Sequence, residues 1–455
     1  MNVPVPLRLA ALSVLALLVA AALPVRAAEV QRIVADNGVE AWLVEDHANP
    51  VISVKLAVPG GAVTDPKGKA GLANMATSLL DEGAGDMDSQ SFQEKLAQKA
   101  IKLSFNASSD HVYGNLRTLT AHKDTAARLL STALSEPRFD PEPVARIRSQ
   151  ILASIASKST RPSWRANRAL EQVLFGDHPY ANAVTGHPKT VKAITAGDLH
   201  RFAERRFARE RLIVGVAGDI TPEALKIWLD KAFGTLPETG GALPEVSEAK
   251  VEGGGAQIVI EQNVPQSWVA FGQAGLKRDD PDYYAAKLVN YVLGGGSFAS
   301  RLFEEVREKR GLVYSVYSYL NPLKHAATYG GGLGTSNARV GKAVSVVRAE
   351  WRRMAENGPT AEELADAKTH LTGSFPLKLS STKKIASVLA AMQREGLGIN
   401  YMDKREDLIE SVTLKDAKRV ARDLVAPENL AFVVVGQPEG FKANRPVPDT
   451  AEPEG

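Results

Sequence analysis

Hydrophobic and polar positions follow two different periods along the chain, and these periods divide it into strands and helices. Apolar residues at every second position predict strands at 30–35, 39–45, 52–58, 102–107, 112–119 and 212–218, and later at 256–261, 267–273, 312–319, 327–333 and 430–435. Apolar residues at every third or fourth position predict helices at 72–80, 91–100, 125–134, 142–157, 163–174, 196–207 and 222–233, and later at 282–293, 300–309, 340–357, 361–372, 381–395 and 414–424. Strands and long helices therefore occur together in both halves of the chain.

The turns between the strands indicate the type of sheet. Asn37-Gly38 separates the first two strands, and this dipeptide is a strong signal for a tight hairpin between antiparallel strands. Hairpins next to long helices predict an α+β fold, in which a mainly antiparallel sheet is covered on one face by helices.

An internal repeat indicates that this arrangement occurs twice. Residues 195–218 align without gaps with residues 413–436, and nine of the 24 positions are identical. Composition alone would give roughly two identities. Each copy reads as a Thr-capped helix followed by an apolar strand that ends at Gly. The stretch 236–255 is dense in Gly, Pro and acids and predicts a linker.

The repeat and the linker together predict the domain organisation. We expect one domain at 28–235 and a homologous domain at 256–440. The segment 441–455 is rich in Pro and acids, and we expect it to be a disordered tail.

The N-terminal segment has the pattern of a cleavable export signal. Arg8 precedes an apolar run at 9–23, and small residues at Val25 and Ala27 fit signal-peptidase cleavage after Ala27. The run is about 15 residues, shorter than the roughly 20 that span a membrane, although an uncleaved anchor remains the alternative. We expect residues 1–27 to be a signal peptide, no membrane span after its removal, and a periplasmic location.

Composition excludes several kinds of chemistry. The chain of 455 residues has no Cys, so disulfides, thiolate zinc sites and cysteine nucleophiles are excluded. None of its eight His lies three or four positions from another. The net charge is +3 and falls to +1 when 1–27 is removed, which argues against nucleic-acid binding. The densest basic stretch, 201–211, alternates with acids and predicts a solvated helix face.

The most specific motif lies at 293–318, with the sequence LGGGSFASRLFEEVREKRGLVYSVYS. It resembles the C-terminal-domain signature of the pitrilysin/insulinase family of zinc peptidases, the family of the mitochondrial processing peptidase. The resemblance extends over nearly the whole chain after residue 28, and it implies two homologous domains of the processing-peptidase-like metallohydrolase type. It also implies that Arg307 and Tyr314, seven residues apart, hold the substrate backbone and stabilise the tetrahedral intermediate at a zinc site. The glycines Gly294, Gly295 and Gly296 lack the Lys-Ser/Thr of a phosphate loop and follow a helix, which argues against phosphate binding. We expect them to contact substrate.

The zinc motif of the same family is missing from the first half. In H-x-x-E-H, two His on one helix face bind zinc and the Glu activates water. The corresponding positions are Asn74, Thr77 and Ser78, none of which can replace its counterpart. The family's third ligand is a Glu on a later helix, yet residues 143–170 contain no Asp or Glu. We therefore expect an inactive first-half site and no metal bound by this chain.

The presence of one motif and the absence of the other suggest a function. The family pattern is a heterodimer in which one subunit carries zinc and the other completes the chamber. Our hypothesis is a non-catalytic, substrate-binding subunit of a periplasmic zinc peptidase, inactive alone, which acts on peptides with a homologous H-x-x-E-H subunit that holds the zinc. The alternatives are a structural scaffold, as in respiratory-complex core proteins, and a peptide-binding module without an enzyme partner.

Overall fold

Each half of the chain folds around one sheet, and the computed structural model describes residues 29–448. The first sheet contains the strands β1 Gln31–Val34, β2 Glu40–Glu45, β3 Val51–Pro59, β4 Lys102–Ala107, β5 His111–Leu119 and β6 Ile213–Gly218. The second contains β7 Gln257–Glu261, β8 Gln266–Ala274, β9 Ser315–Pro322, β10 Ala327–Ser336 and β11 Ala431–Gly436. The predicted signal peptide, 1–27, lies outside the described residues.

The two sheets share one topology, which confirms the predicted α+β fold with two homologous domains. The strand order is β1-β2-β6-β3-β5-β4 in the first sheet and β7-β11-β8-β10-β9 in the second. The strand that follows the repeated helix is β6 in the first sheet and β11 in the second. It pairs in parallel with one neighbour, β2 or β7, and every other pairing in the two sheets is antiparallel. The first sheet adds only β1, which forms the predicted hairpin around Asn37-Gly38.

The helices lie between the strands as the apolar periods predict. Those of the first half are Leu72–Thr77, Ser89–Gln98, Lys123–Ser135, Pro141–Ser159, Pro162–Phe175, Pro188–Ala193, Ala196–Arg206 and Pro222–Phe233. Those of the second half are Tyr283–Asn290, Val340–Asn357, Ala361–Gly373, Thr382–Arg394, Tyr401–Glu410 and Leu414–Leu424, with π-helical segments at Tyr291–Gly295 and Phe303–Glu308. The helices Pro188–Ala193 and Tyr401–Glu410 were not predicted. Within 29–448, no helix is long and apolar enough to cross a membrane.

The repeated segment forms the same local structure twice. Thr195 and Thr413 each cap a helix through a capping box, in which Asp198 and Asp416 are the reciprocal partners. Each helix leads into the parallel strand of its sheet, β6 or β11. The duplication that the sequence predicts is therefore also present in hydrogen-bond geometry.

Two helices are exchanged between the domains. We call the sheet face that packs against a domain's own helices its core face, and the opposite side its inner face. The helix Pro162–Phe175 of the first half lies on the inner face of the second sheet, against β8 and β11. The helix Thr382–Arg394 of the second half lies on the inner face of the first sheet, against β3 and β6. Each exchanged helix covers part of the inner face of the other domain's sheet.

Apolar clusters bury both exchanged helices. Leu170 and Leu174 pack with Ile258 and Val433, and the cluster continues along the second sheet. On the first sheet, Leu389 and Met392 of the exchanged helix belong to a second apolar cluster with Trp42, Val44 and Ala217 of the strands. Burial of this apolar surface on both sides stabilises the contact between the domains.

The linker and the C-terminal segment are packed on the domains. No helix or strand is found at 234–256, yet Arg211 donates hydrogen bonds to Gly240 O and Gly241 O, and Glu252 N donates one to Leu174 O. The expected disordered tail at 441–455 is wrong for its first residues. Phe441 is buried against the second core, and Asn444 Oδ1 accepts a hydrogen bond from Gln257 N at 2.7 Å. Residues 449–455 lie outside the described part.

Candidate functional site

The helix Leu72–Thr77 occupies the place of the zinc motif. Its start is fixed by Asp65, whose carboxylate accepts hydrogen bonds from Gly71 N and Ala73 N, both at 2.9 Å. Gly71 precedes the helix with φ +97°, and an added Cβ there would lie 2.8 Å from Thr185 O. The loop and helix therefore keep a defined, closely packed backbone although the zinc residues are absent.

Two of the three motif positions, Thr77 and Ser78, hydrogen-bond the helix backbone through their side chains. Asn74 and Ser78 share one partly exposed face, where Ser78 Oγ donates a hydrogen bond to Asn74 O at 2.8 Å. Thr77 is fully buried, and its Oγ1 donates to Ala73 O at 2.8 Å. A hydroxyl is no general base near neutral pH, and it is not among the donors that zinc prefers.

The neighbouring helix Pro141–Ser159 supplies no ligand. Its buried face is apolar and consists of Val144, Ile147, Ile151 and Ile155. The residues present do not fit a zinc ion, because the donors that zinc prefers, imidazole, thiolate and carboxylate, are missing from the helix Leu72–Thr77 and from the buried face of Pro141–Ser159, whose one carboxylate, Glu142, lies in the first turn and pairs with Arg146. In the described range 29–448, no group of three or more His, Asp or Glu side chains could hold a metal ion.

The glycine-rich segment is shaped by close packing. A Cβ on Gly294 would lie 2.5 Å from Ser318 Oγ and 2.8 Å from Ser318 N. One on Gly296 would lie 2.8 Å from Tyr291 O, and Gly294 is buried while Gly295 is exposed. Packing against β9 therefore explains Gly294, and only Gly295 and Gly296 are open to a ligand. Substrate contact by these glycines stays a prediction.

Arg307 lies in the π-helical segment Phe303–Glu308. Gly311, with φ +58°, ends this segment, and its N–H donates to Arg307 O at 2.8 Å, as in a left-handed cap. The Arg307 guanidinium lies 4.7 Å from the ring centroid of Phe303, which in turn meets Phe298 edge-on at 4.8 Å. Phe298 is 77% exposed. The sequence motif did not single out Phe298, although it lies only nine residues before Arg307.

Ion pairs anchor the segment from beneath. Arg301 is buried and binds Glu363 through two hydrogen bonds of 2.6 Å. Glu305 is also buried, and hydrogen bonds from Lys309 and Arg310 lower its pKa to about 2. The backbone that carries Arg307 is therefore held by charge-assisted hydrogen bonds.

Tyr314 follows the turn and differs from its predicted position. The sequence pattern placed it in a strand at 312–319, on one face with Val316 and Ser318. The strand begins at Ser315; Val316 and Ser318 are buried, whereas the side chain of Tyr314 is 61% exposed. Its backbone still joins the sheet, since Tyr314 N donates to Gly334 O at 2.9 Å. Arg307 and Tyr314 thus stand on either side of the Gly311 turn.

The inner face of the second sheet continues this surface. Tyr317 and Tyr319 stack with their ring centroids 6.1 Å apart, beside Gly330 and Gly332 of β10. They line a cavity of about 280 Å³ between the two domains. The wall opposite is the exchanged helix Pro162–Phe175, which contributes Asn167 and Glu171 among its lining residues.

Comparison with known proteins agrees with this arrangement. Residues 41–187 match the family model described as insulinase (peptidase family M16), and residues 193–371 match the one described as the peptidase M16 inactive domain. The "Uncharacterized zinc protease SCO5738" of Streptomyces coelicolor is 30% identical over 376 residues, which cover 77% of this chain and 80% of that protein. The "Non-peptidase homolog YmxG" of Helicobacter pylori is 29% identical over 392 residues, covering 86% and 90%.

A solved structure shares the fold. The crystal structure of a peptidase M16 inactive domain from Pseudomonas fluorescens superposes with a TM-score of 0.84 and 28% identity, over 92% of this chain and all of that one. With two domains of one topology, an Arg307/Tyr314 element and a zinc motif replaced by Asn74, Thr77 and Ser78, the chain belongs to the insulinase family, peptidase family M16.

Proposed function

We propose that this chain is the non-catalytic, substrate-binding subunit of a periplasmic heterodimeric zinc peptidase. The observation that carries the proposal is the contrast within one chain. The first domain has lost the zinc ligands and the general base, while the second keeps Arg307 and Tyr314 next to an exposed surface.

The chemistry of Arg307 and Tyr314 suits a bound peptide. A guanidinium offers five N–H donors and a phenol one O–H donor, so both can hold a peptide carbonyl oxygen or the oxyanion formed from it. Tyr314 is largely exposed, and its phenol is therefore available to a group outside this chain. The Arg307 guanidinium lies over the ring of Phe303, and this contact restrains the side chain and reduces the entropy lost on binding.

The expected partner is a homologous chain that carries H-x-x-E-H and holds the zinc. Arg307 and Tyr314 would face that site in the complex and position the substrate backbone. The periplasmic location is supported by the export pattern at 1–27 and by the absence of Cys. The Helicobacter pylori relative, which is named a non-peptidase homologue, supports a role without autonomous activity.

Mixing experiments test the proposal. The purified protein and the H-x-x-E-H homologue from the same organism are assayed separately and together on an unfolded protein and on fluorogenic peptides. We expect no activity from this chain alone, one zinc per complex, and a strong gain when the two are mixed. Stoichiometric zinc in this chain alone, or full activity of the homologue alone, would contradict the proposal.

A further inference from the structure

The uncovered part of the first sheet's inner face carries a group of cations. In the β3-β5-β4 register, Ser53 lies opposite Arg117 and Arg117 opposite Lys102, while Lys55 lies opposite Asn115 one row further. The exchanged helix brings Lys383 to the same place. We call the resulting cavity of about 220 Å³, lined by Lys55, Lys102, Arg117 and Lys383, the cationic groove.

No carboxylate balances these charges in the described structure. Among the described residues 29–448, no Asp or Glu lines the groove. None of its four cations forms an ion pair with a carboxylate of these residues. Lys102 and Arg117 are directly opposite each other on β4 and β5. Like charges at such a position destabilise a strand pair, so this cluster is unfavourable for folding alone.

Lys55 is the most buried of the four. Its Nζ donates to Asn115 Oδ1 at 2.7 Å and lies 4.6 Å from the ring centroid of Tyr113. Burial, with additional repulsion from Lys383 and Arg394, lowers its pKa to about 8. A bound anion would relieve this repulsion and favour the charged amine.

The end of the exchanged helix adds to the positive potential. Ser381 caps the helix, and Thr382 Oγ1 lies 2.9 Å from Ser53 Oγ, so the first helical turn borders the groove. Helix N-termini carry a partial positive charge. The four side chains and the helix end therefore all make the potential in the groove more positive.

We propose that the cationic groove binds the acidic side chains of a peptide segment. The proposal rests on the proposed function, since it adds a preference for acidic sequence to a peptide-binding subunit. The cavity has room for a few carboxylate side chains. Its nearest aromatic ring, Tyr113, is already occupied by Lys55 and by Arg394, whose Nη1 donates to the Tyr113 hydroxyl at 2.7 Å. The stacking platforms used by single-stranded nucleic acids are therefore absent from this part of the described sheet.

Fluorescence anisotropy with the purified protein tests the groove. The probes are a labelled peptide with a block of Asp and Glu, the same peptide with Asn and Gln instead, and an oligonucleotide of equal charge. The groove variant is Lys102→Gln/Arg117→Gln/Lys383→Gln. Its matched control is Lys95→Gln/Lys226→Gln/Lys342→Gln, which removes three exposed positive charges from outer helices.

We expect the acidic peptide to bind more tightly than its amide counterpart, and the groove variant to weaken acidic-peptide binding about tenfold, since each exposed ion pair contributes modestly. The control should keep the preference. Equal binding of the two peptides, an equal loss in the control, or equally tight oligonucleotide binding would overturn the inference while leaving the proposed function intact. Absence of binding by either peptide would contradict both.

Discussion

The uncovered inner faces of the two sheets have the same strands in the same register but different side chains. On the first sheet, Lys102, Arg117 and Lys55 project from this face without acidic partners. On the second, the equivalent edge strands present Tyr317 and Tyr319 beside glycines of β10, and no charged residue lies on those described strand positions. The duplication preserved the backbone arrangement and left the side chains of each face free to diverge.

This difference indicates how the two domains divide their roles. The first domain retains the helix that carries the zinc motif in its family but not the ligands, and it presents positive charge. The second domain presents aromatic rings and leads directly into Tyr314 and Arg307. A shared fold therefore predicts the position of a surface, while the chemistry must be read from the residues on it.

The largest expected effect is a loss of folding stability when a Cβ is added beneath one of the two exchanged helices. A Cβ on Gly215 would lie 2.3 Å from Ala386 O and 2.7 Å from Ala390 N, both backbone atoms of the helix Thr382–Arg394. We expect Gly215→Ala to lower the free energy of unfolding by about 2–3 kcal/mol, as overpacking does. Gly272→Ala is the matched control, because its Cβ would lie closest to the ends of the Leu174 and Leu170 side chains, at 3.2 and 3.4 Å, and its nearest backbone atom, Gly330 Cα, is at an ordinary contact distance of 3.8 Å.

Urea unfolding measures both variants. Gly272→Ala should cost less than about 1 kcal/mol, since flexible side chains can shift. Equal costs for the two substitutions would show that the helix on the first sheet is not as closely seated as its backbone contacts indicate.

The pH dependence of stability should distinguish the inner face of the first sheet from that of the second. Burial, together with the nearby Arg394 charge, lowers the pKa of His111 to about 4 on the first sheet. In the unfolded chain the pKa of a histidine is near 6.5. As the pH falls, His111 is therefore protonated in the unfolded chain before it is protonated in the folded protein. Stability is therefore complete above about pH 6.5 and is lost as the pH falls towards 4, by about 2–3 kcal/mol.

Unfolding measured between pH 7 and pH 4 checks this prediction. His111→Gln should remove that part of the pH dependence, whereas His122→Gln, in the loop after β5, should not. The prediction fails if both variants keep the wild-type slope.

The smallest effect concerns the repeated helix caps. Asp198 and Asp416 complete equivalent capping boxes, but Asp198 Oδ2 also accepts a hydrogen bond from Lys69 Nζ at 2.8 Å and its side chain is only 13% exposed. We expect Asp416→Ala to cost about 1 kcal/mol and Asp198→Ala about 1 kcal/mol more. Identical melting temperatures for the two variants would show that the Lys69 contact contributes nothing.

Much of the secondary structure could be predicted from the sequence. The helices Pro222–Phe233, Val340–Asn357 and Leu414–Leu424 have their predicted bounds, because their apolar stripes are strong and two of them begin after a Thr cap. Tyr401–Glu410 was missed, since only Arg405 and Ile409 are buried along it and its apolar period is weak.

The spatial relations could not be predicted. An apolar stripe shows that the helix Thr382–Arg394 is buried but not that it packs on the sheet of the other half. Lys102 and Arg117 are far from Lys383 in sequence, and only strand register and helix exchange bring them together. The loss of the zinc motif was readable because it required only residue identities at Asn74, Thr77 and Ser78.

The most direct test of the central claim is the kcat/KM of the reconstituted complex with substitutions in this chain. Arg307→Ala and Tyr314→Phe are compared with Arg352→Ala, which removes an exposed guanidinium from an outer helix. Loss of one oxyanion donor typically lowers kcat about 10²-fold, so we expect a loss of that order for Arg307→Ala and Tyr314→Phe, with the zinc content of the complex unchanged and Arg352→Ala fully active. Full activity with Arg307→Ala and Tyr314→Phe would contradict the account.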